Sequence, residues 1–260
     1  MDTESASDLA EGAAVEAVAG AVKAVGRRVP AGAREIAIVA VLLLAYKLGR
    51  LISADETARA FSNAQAVLSL EHVLRLPREA WTQSVAYDVP SLVDLANRYY
   101  AYVHFPAATL MLLVLWFRAR HHYAWVRRVM ALLTLTALVL HVVLPLAPPR
   151  MMPGFIDTAA ASDESVYSGV GGMLANQYAA MPSLHVGWAL VVAAAVVVSL
   201  RSRWRWLAVL HPAVTVAVVV VTANHYWLDA IVAGALFVIS LTLVGPRGAL
   251  VPRRAYAVAA

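Results

Sequence analysis

Asn224-His225-Tyr226-Trp227-Leu228-Asp229 stands at the start of the last long apolar run of the chain, and Met181-Pro182-Ser183-Leu184-His185 stands at the start of an earlier one. An ionisable side chain is costly to place within an apolar run, so such a residue is by default interpreted as functional. We therefore predict that the two segments meet at one face of a membrane and form one site.

The composition predicts an integral membrane protein with one helical domain. The chain has 260 residues, of which 61% are hydrophobic and only 14% charged, whereas a soluble domain is about half apolar and a quarter charged. The apolar residues form blocks of about 20, enough to cross a bilayer as helices. The absence of cysteine excludes disulfides, thiolate nucleophiles and cysteine-ligated metals. The net charge of +5 is better explained by membrane topology than by nucleic acid.

The apolar pattern predicts six membrane-spanning helices in an all-α protein. They cover residues 36–52, 99–117, 129–146, 182–200, 206–222 and 225–244, with a proline-rich break at 147–153, a glycine loop at Gly169, Gly171 and Gly172, and Gly245-Pro246 ending the last span. Pro182 is placed at the first position of its helix, which proline favours.

The remaining segments are too polar to span a membrane. Residues 54–97 carry a helical repeat that predicts one or two amphipathic helices lying on the membrane, able to form a lid or a lateral entrance for a lipid. The repeat consists of Phe61, Gln65, Leu68, Glu71, His72 and Arg75. Residues 1–33 are expected to form a disordered or weakly helical cytoplasmic tail, residues 34–246 the membrane domain, and residues 247–260 a second cytoplasmic tail. The acidic start is unlike a secretory signal, so the first apolar run is expected to act as a signal anchor.

The distribution of basic residues predicts the orientation. One set of span ends carries Lys23, Arg27, Arg28, Arg34, Arg118, Arg120, Arg127, Arg128, Arg201, Arg203, Arg205, Arg247, Arg253 and Arg254; the other carries Arg59, Arg75, Arg78, Arg98 and Arg150. Cytoplasmic loops are the ones enriched in Lys and Arg. Both termini are therefore predicted in the cytoplasm, and Arg150, Ser183, His185, His225 and Asp229 at the outer face of the plasma membrane.

His225 and Asp229 are four residues apart, which places both side chains on one face of a helix. A carboxylate that accepts the proton of one imidazole nitrogen leaves the other nitrogen free to attack or to accept a proton. The pair is therefore a candidate for covalent catalysis. The structural alternative is a His–Asp pair that bridges two helices.

The other outer-face residues suit phosphate. The amides of a helix start favour an anion; Ser183 can add a hydroxyl hydrogen bond, and His185 is placed to protonate a leaving alkoxide. Arg150 matches the charge that phosphoryl transfer places on the equatorial oxygens. The alternatives are a helix cap for Ser183 and an interfacial, lipid-binding arginine for Arg150.

These residues resemble a known family. Ala-Pro-Pro-Arg at 147–150, Ala-Met-Pro-Ser-Leu-His at 180–185 and Asn-His-Tyr-Trp-Leu-Asp at 224–229 are similar to the three ordered motifs of the type 2 phosphatidic acid phosphatase superfamily, and most similar to its inositol phosphorylceramide synthase-like branch with many actinobacterial members. The resemblance covers about residues 35–245. It implies a six-helix membrane bundle with its site at the outer or lumenal face and no metal or other cofactor.

The resemblance also implies a role for each residue. His225 would be the nucleophile that forms a phosphohistidine, Asp229 would orient it, and His185 would be the general acid and base. Arg150 and Ser183 would bind the phosphate. The substrate would be a lipid phosphate or a phospholipid head group within the bilayer, and the reaction either hydrolysis or transfer to an acceptor alcohol.

Two cations of the superfamily pattern are absent from this chain. The pattern has Lys seven residues before the first-motif Arg, where this chain has Val143, and Ser-Arg seven and six residues before the nucleophile, where it has Val218 and Val219. Either another residue supplies the charge, or the phosphate is held less tightly; the candidates are Arg50, Arg98 and His104. A lone His such as His104 is more often a packed residue. The absence of the two cations favours the synthase-like branch.

Two other classes of function compete with this interpretation. A metal-dependent hydrolase would use His185, His225 and Asp229 as ligands, but this interpretation gives Ser183 and Arg150 no role. A non-enzymatic transporter or lipid-binding scaffold would have charges and broken helices at mid-membrane, whereas the polar residues here stand at span ends. The oligomeric state stays open.

Overall fold

The structure, a computed structural model, describes residues 31–53, 56–161 and 176–246. Its contacts divide the chain into two units, one ending at Ala45 and one beginning at Tyr46. In chain order the helices are α1 (Ala31–Ser53), α2 (Thr57–Val73), α3 (Glu79–Tyr87), α4 (Pro90–Tyr102), α5 (His104–Arg118), α6 (Arg120–Val143), α7 (Thr158–Ala161), α8 (Leu184–Ser199), α9 (Leu210–Val221) and α10 (Trp227–Val244), with short 3-10 helices at Pro149–Met151 and Arg203–Val209. No strand occurs in these segments, so the all-α prediction is confirmed for them.

Within the described residues, three helical segments are long and apolar enough to cross a membrane: α6, the segment Arg203–Val221 that contains α9, and α10. A fourth span results if α4 and α5 are counted together. α8 has 16 residues, so it is about 24 Å long, shorter than the ~30 Å hydrocarbon core. These apolar helices indicate a membrane protein with three to four candidate spans, and the predicted number of six stays a prediction.

The second predicted span differs from the structure in its start and its shape. The helix begins at Pro90, nine residues before the predicted start, and is bent by 44° between Tyr102 and His104. Pro106 explains the bend: it has no N–H for the carbonyl of Tyr102, and its ring clashes with that carbonyl in a continuous helix.

α8 lies at the centre of the unit that begins at Tyr46. It contacts α5, α6, α9 and α10, and its buried positions are mostly small residues: Val186, Gly187, Ala189, Val191, Ala193 and Ala195. Small side chains allow helix backbones to approach closely in a membrane, where dispersion contacts replace the hydrophobic effect between helices. The lipid-facing sides of the neighbouring helices carry exposed large residues such as Phe117 and Leu243. α8 therefore holds its first residues, and with them His185, in a fixed position.

Substitution of Gly187 by alanine tests this close packing. A Cβ at Gly187 would lie 2.9 Å from Leu133 Cδ2 of α6, so Gly187→Ala is expected to lower the free energy of unfolding by about 1 kcal/mol, since overpacking exceeds the helix-propensity gain. The matched control is Gly234→Ala in α10, where an added Cβ meets no atom within 4 Å. Thermal unfolding in detergent should show a lower Tm for the first variant only. An equal or higher Tm for Gly187→Ala would contradict the packing.

α2 and α3 occupy the polar region that was predicted to hold amphipathic helices. α2 packs against the rest of the unit that begins at Tyr46, and the contact face is a stripe of mainly alanines. Its buried residues are Ala60, Ala64, Val67 and Glu71. The first three of these stand one position before Phe61, Gln65 and Leu68 of the predicted repeat, whereas Glu71 belongs to both sets. Asn63 donates to the carbonyl of Pro145 at 2.8 Å, and the Ala147 amide donates to the Ala60 carbonyl at 3.2 Å. α2 thus fixes the segment that leads to Arg150.

Some predictions fall on parts of the chain outside the described residues. These are the tail before residue 31, the C-terminal tail 247–260 and the glycine loop at Gly169, Gly171 and Gly172. The predicted end of the last span is confirmed: α10 ends at Val244, and Gly245 follows with φ of +73°, a conformation that glycine adopts without strain. The predicted domain boundaries stay predictions.

Candidate functional site

Backbone hydrogen bonds join the three motif segments at one end of α6, α8 and α10. The Arg150 amide donates to the Ala223 carbonyl at 2.8 Å, and the Ser183 amide donates to the Asp229 carbonyl at 3.3 Å. The Tyr226 hydroxyl donates to the Ala147 carbonyl at 2.9 Å. Because each bond links residues far apart in sequence, the loops that carry the candidate residues form one connected structure.

His225 and Asp229 meet, but not as two residues on one helical face. α10 begins at Trp227, so His225 precedes the helix and Asp229 lies in its first turn. The carboxylate turns back over the helix start, where its Oδ2 accepts from the Tyr226 amide at 2.9 Å and lies 3.2 Å from His225 Nδ1. The prediction of the pair was right and its helical reason was wrong: capping of the first turn brings the carboxylate to the ring.

The contacts of His225 define its tautomer. Nδ1 lies 2.8 Å from the Ala180 carbonyl oxygen, and a carbonyl can only accept a hydrogen bond. Nδ1 therefore carries the proton and donates it to Ala180 and Asp229. Nε2 then holds the lone pair, so it is the atom of His225 that can act as a nucleophile or a base.

The electrostatics keep this ring neutral. Burial lowers the pKa of His225 from 6.5 to about 4, and the positive charge of Arg150 contributes in the same direction, while the bond to Ala180 opposes both. Burial disfavours the imidazolium because the cation loses its hydration. At neutral pH the Nε2 lone pair is therefore available without prior deprotonation.

Ser183 and His185 start α8. The helix begins at Leu184, two residues after Pro182, because Ser183 is the N-cap: its Oγ accepts from the Val186 amide at 3.4 Å. The predicted first helical position of Pro182 was therefore wrong, and the helix-cap alternative for Ser183 is present in the structure. Capping uses the oxygen of Ser183 as acceptor, which leaves its hydroxyl hydrogen to donate to a phosphate oxygen.

His185 is held by ring stacking. Its ring centroid lies 5.9 Å from that of His225, 4.2 Å from that of Tyr100 and 4.3 Å from that of His104. His104 in turn stacks on Trp188 at 5.0 Å. Aromatic stacking fixes the plane of a ring without occupying its edge, so these contacts hold the His185 ring beside that of His225.

Arg150 is buried, and its partners connect it to the nucleophile segment. Its guanidinium donates to Asn224 Oδ1 at 2.8 Å, and its Nε lies 3.6 Å from Asp157 Oδ2. Asn224 directly precedes His225, so the bond sets the cation beside the ring. A buried arginine with fixed partners loses little entropy when it binds a tetrahedral anion.

The structure thus brings together Arg150, Ser183, His185, His225 and Asp229, whereas the other three candidates lie differently. His104 is a buried residue packed on His185, as its main interpretation predicted. Arg98 is exposed on α4, and Arg50 lies in α1 with its side chain outside the described part. At the positions of the absent cations, Val143 is exposed on α6, and Val219 is fully buried with its carbonyl accepting from the His225 amide at 3.1 Å.

Sequence reasoning missed several residues that position the site. Tyr100 stacks on His185, His141 Nε2 lies 3.0 Å from the Pro182 carbonyl oxygen, and Asn224 orients Arg150. Asn224 could have been found, since it stands inside the motif beside His225. Tyr100 and His141 carry no local signal, because their contacts join helices that are far apart in sequence.

Comparison with known proteins identifies the family. The model of the PAP2 superfamily matches residues 65–243, more than half of the chain, and this range contains all three motif segments. Searches of curated proteins and of solved structures gave no match. Members of the superfamily are phosphatases and phosphotransferases that act on phosphate esters. The chain belongs to the PAP2 superfamily, and the connected segments around His225 are its candidate site for phosphoryl transfer.

Proposed function

We propose that the protein transfers a phosphoryl group from a lipid phosphate or phospholipid head group through a phosphohistidine on His225. The observation that carries this proposal is the orientation of the His225 ring, whose Nδ1 proton is bound by Ala180 and Asp229 and whose Nε2 is therefore nucleophilic. A second imidazole, His185, stands 5.9 Å away between ring centroids. This arrangement matches a nucleophile with its own general acid.

The reaction has two steps. In the first, Nε2 of His225 attacks phosphorus, the bond from phosphorus to the leaving oxygen breaks, and His185 gives a proton to that oxygen. His185 takes up this proton as the anionic substrate binds, because the negative charge of the phosphate offsets the cost of a buried imidazolium. In the second, neutral His185 takes a proton from water or from an acceptor alcohol, whose oxygen attacks phosphorus as the P–N bond breaks. Arg150 and the Ser183 hydroxyl hold the non-bridging oxygens in both steps, where charge accumulates.

The membrane setting supports a lipid substrate at the outer face of the plasma membrane. The candidate residues lie at the ends of apolar helices, beside the interfacial helices α2 and α3, where a lipid head group lies. Arginine is concentrated at the opposite ends, for example at Arg127 and Arg203. By the positive-inside rule, this distribution supports a cytoplasmic location for both termini and an outer location for the site.

A transferase of the inositol phosphorylceramide synthase-like branch is the second candidate. It would move a phosphoryl-alcohol head group to an acceptor lipid or sugar alcohol instead of to water. The apolar side chains of Val143, Val218 and Val219 favour it, since this branch lacks the superfamily cations at those positions. Hydrolysis and transfer use the same His225 and His185 and differ in the second attacking oxygen.

Incubation of purified protein with labelled phosphatidic acid, polyprenyl phosphate and phosphoinositides tests the proposal. We expect free phosphate from a phosphatase, or a new lipid head group from a transferase, with activity retained in excess chelator. Loss of activity in chelator would favour the metal-dependent alternative, although no three suitable side chains form a metal-binding group in the described segments. Movement of lipid without chemical conversion would contradict the proposal and favour the transporter.

A further inference from the structure

Two buried carboxyl groups from the interfacial helices contact the start of α10. Glu71 of α2 accepts through Oε1 from the Leu228 amide at 2.7 Å, and Glu79 of α3 accepts through Oε1 from the Trp227 amide at 3.4 Å. Each side chain is only 3% exposed. The two amides stand between His225 and Asp229 in sequence, and free amides at a helix start need such acceptors.

The second oxygen of Glu71 is also shielded from water. Its Oε2 is buried without a hydrogen-bond partner, and burial without a partner disfavours the charged form of a carboxyl group. Burial, followed by the neighbouring Glu79 side chain, raises the pKa of Glu71 from 4.5 to about 9. Glu71 is therefore protonated at neutral pH.

The surroundings show what loss of that proton would do. Asp229 and Tyr226 face the pair from the side of α10, and the negative charge of Asp229 opposes ionisation of Glu71. On the other side, His72 and Arg78 line a cavity of about 230 Å³ together with both glutamates and Phe155. Ionisation of Glu71 would place a further buried charge at the start of α10, and the cavity offers its side chain a path towards water.

We propose that Glu71 and Glu79 are positioning residues, whose buried carboxyl groups hold the first turn of α10 and thereby keep Asp229 against His225. The activity test of this inference rests on the proposed function. The stability test depends only on the contacts of the two glutamates. α2 and α3 then have a task beyond covering the membrane surface, because they set the geometry of the nucleophile.

The activity test compares Glu71→Ala with Glu71→Gln. Glu71→Ala is expected to lower kcat on phosphatidic acid by about 10- to 100-fold with little change in KM, since a small displacement of the nucleophile is costly. Glu71→Gln keeps the acceptor for the Leu228 amide at the same size of side chain, so it should restore most of the loss. Wild type should lose activity as the pH rises through about 9, and Glu71→Gln should lack this limb. Glu56→Gln, the same change at the N-cap of α2, is the control.

Thermal unfolding tests the pair without any substrate. Native Glu71 keeps its proton up to about pH 9, whereas the unfolded chain releases it near 4.5, so this contribution to stability is lost as pH rises between those values. The Tm of wild type should therefore fall more steeply from pH 6 to 9 than that of Glu71→Gln. Equal slopes, or equal kcat for Glu71→Gln and Glu71→Ala, would overturn the inference even if the protein acts on another phosphate ester.

Discussion

Replacement of His225 by alanine is expected to lower kcat by at least about 10³-fold, because the covalent route then has no nucleophile. The side chain is buried and its Nδ1 bonds to Ala180 and Asp229, so no neighbouring imidazole can take its place: His185 is held in its own stack with Tyr100. Release of phosphate, or formation of a new lipid head group, measures the loss.

The control for this variant is His211→Ala. His211 lies at the opposite end of α9 and bonds to the Tyr99 hydroxyl at 2.7 Å, so its removal deletes an imidazole without touching the site. We expect turnover within about threefold of wild type for the control, since substitutions away from a site have small effects. Full turnover by His225→Ala would show that the nucleophile lies elsewhere.

Asp229→Asn is expected to lower kcat by about 10²- to 10⁴-fold, the range for removal of an orienting carboxylate. Oδ2 faces both His225 Nδ1 and the Tyr226 amide, so the amide oxygen takes this place in the variant. The uncharged oxygen no longer stabilises the positive charge that develops on the ring as Nε2 attacks phosphorus. The fold should persist, because the amide oxygen can still accept from the Tyr226 amide as Asp229 Oδ2 does at 2.9 Å.

A second variant separates the effect of Asp229→Asn on kcat from its effect on folding. Asp94→Asn changes an exposed carboxylate on α4 and should match wild type in both kcat and Tm. If Asp229→Asn kept kcat within about threefold of wild type at an unchanged Tm, the charge of the carboxylate would not assist the attack by His225, and its role would be helix capping alone.

The apolar helices and the identities of the site residues could be predicted from the sequence, because both are local. Long apolar runs give the helices, and the motif residues carry unusual chemistry where they stand. The boundaries at the site could not be predicted to the residue. The start of α10 at Trp227 depends on capping by Asp229, and the start of α8 at Leu184 depends on capping by Ser183, and such caps compete with a longer helix by about 1 kcal/mol.

The supporting contacts were beyond sequence reasoning for a different reason. Tyr100 against His185, and Glu71 and Glu79 against the start of α10, are long-range contacts that only the packed structure defines. The predicted repeat on α2 assigned Glu71 to an amphipathic face on the membrane, whereas it is buried against α10. Residues of this kind are polar, buried and paired, which is the combination that a hydrophobicity pattern does not detect.

The most direct test of the account is to trap the phosphorylated enzyme. Wild type and His225→Ala are mixed with ³²P-labelled phosphatidic acid, quenched in alkali and mapped by mass spectrometry. The account predicts an acid-labile, alkali-stable phosphoramidate on His225 of the wild type and no label in His225→Ala. Turnover by the wild type without label on His225, or label on Ser183 or Asp229, would contradict it.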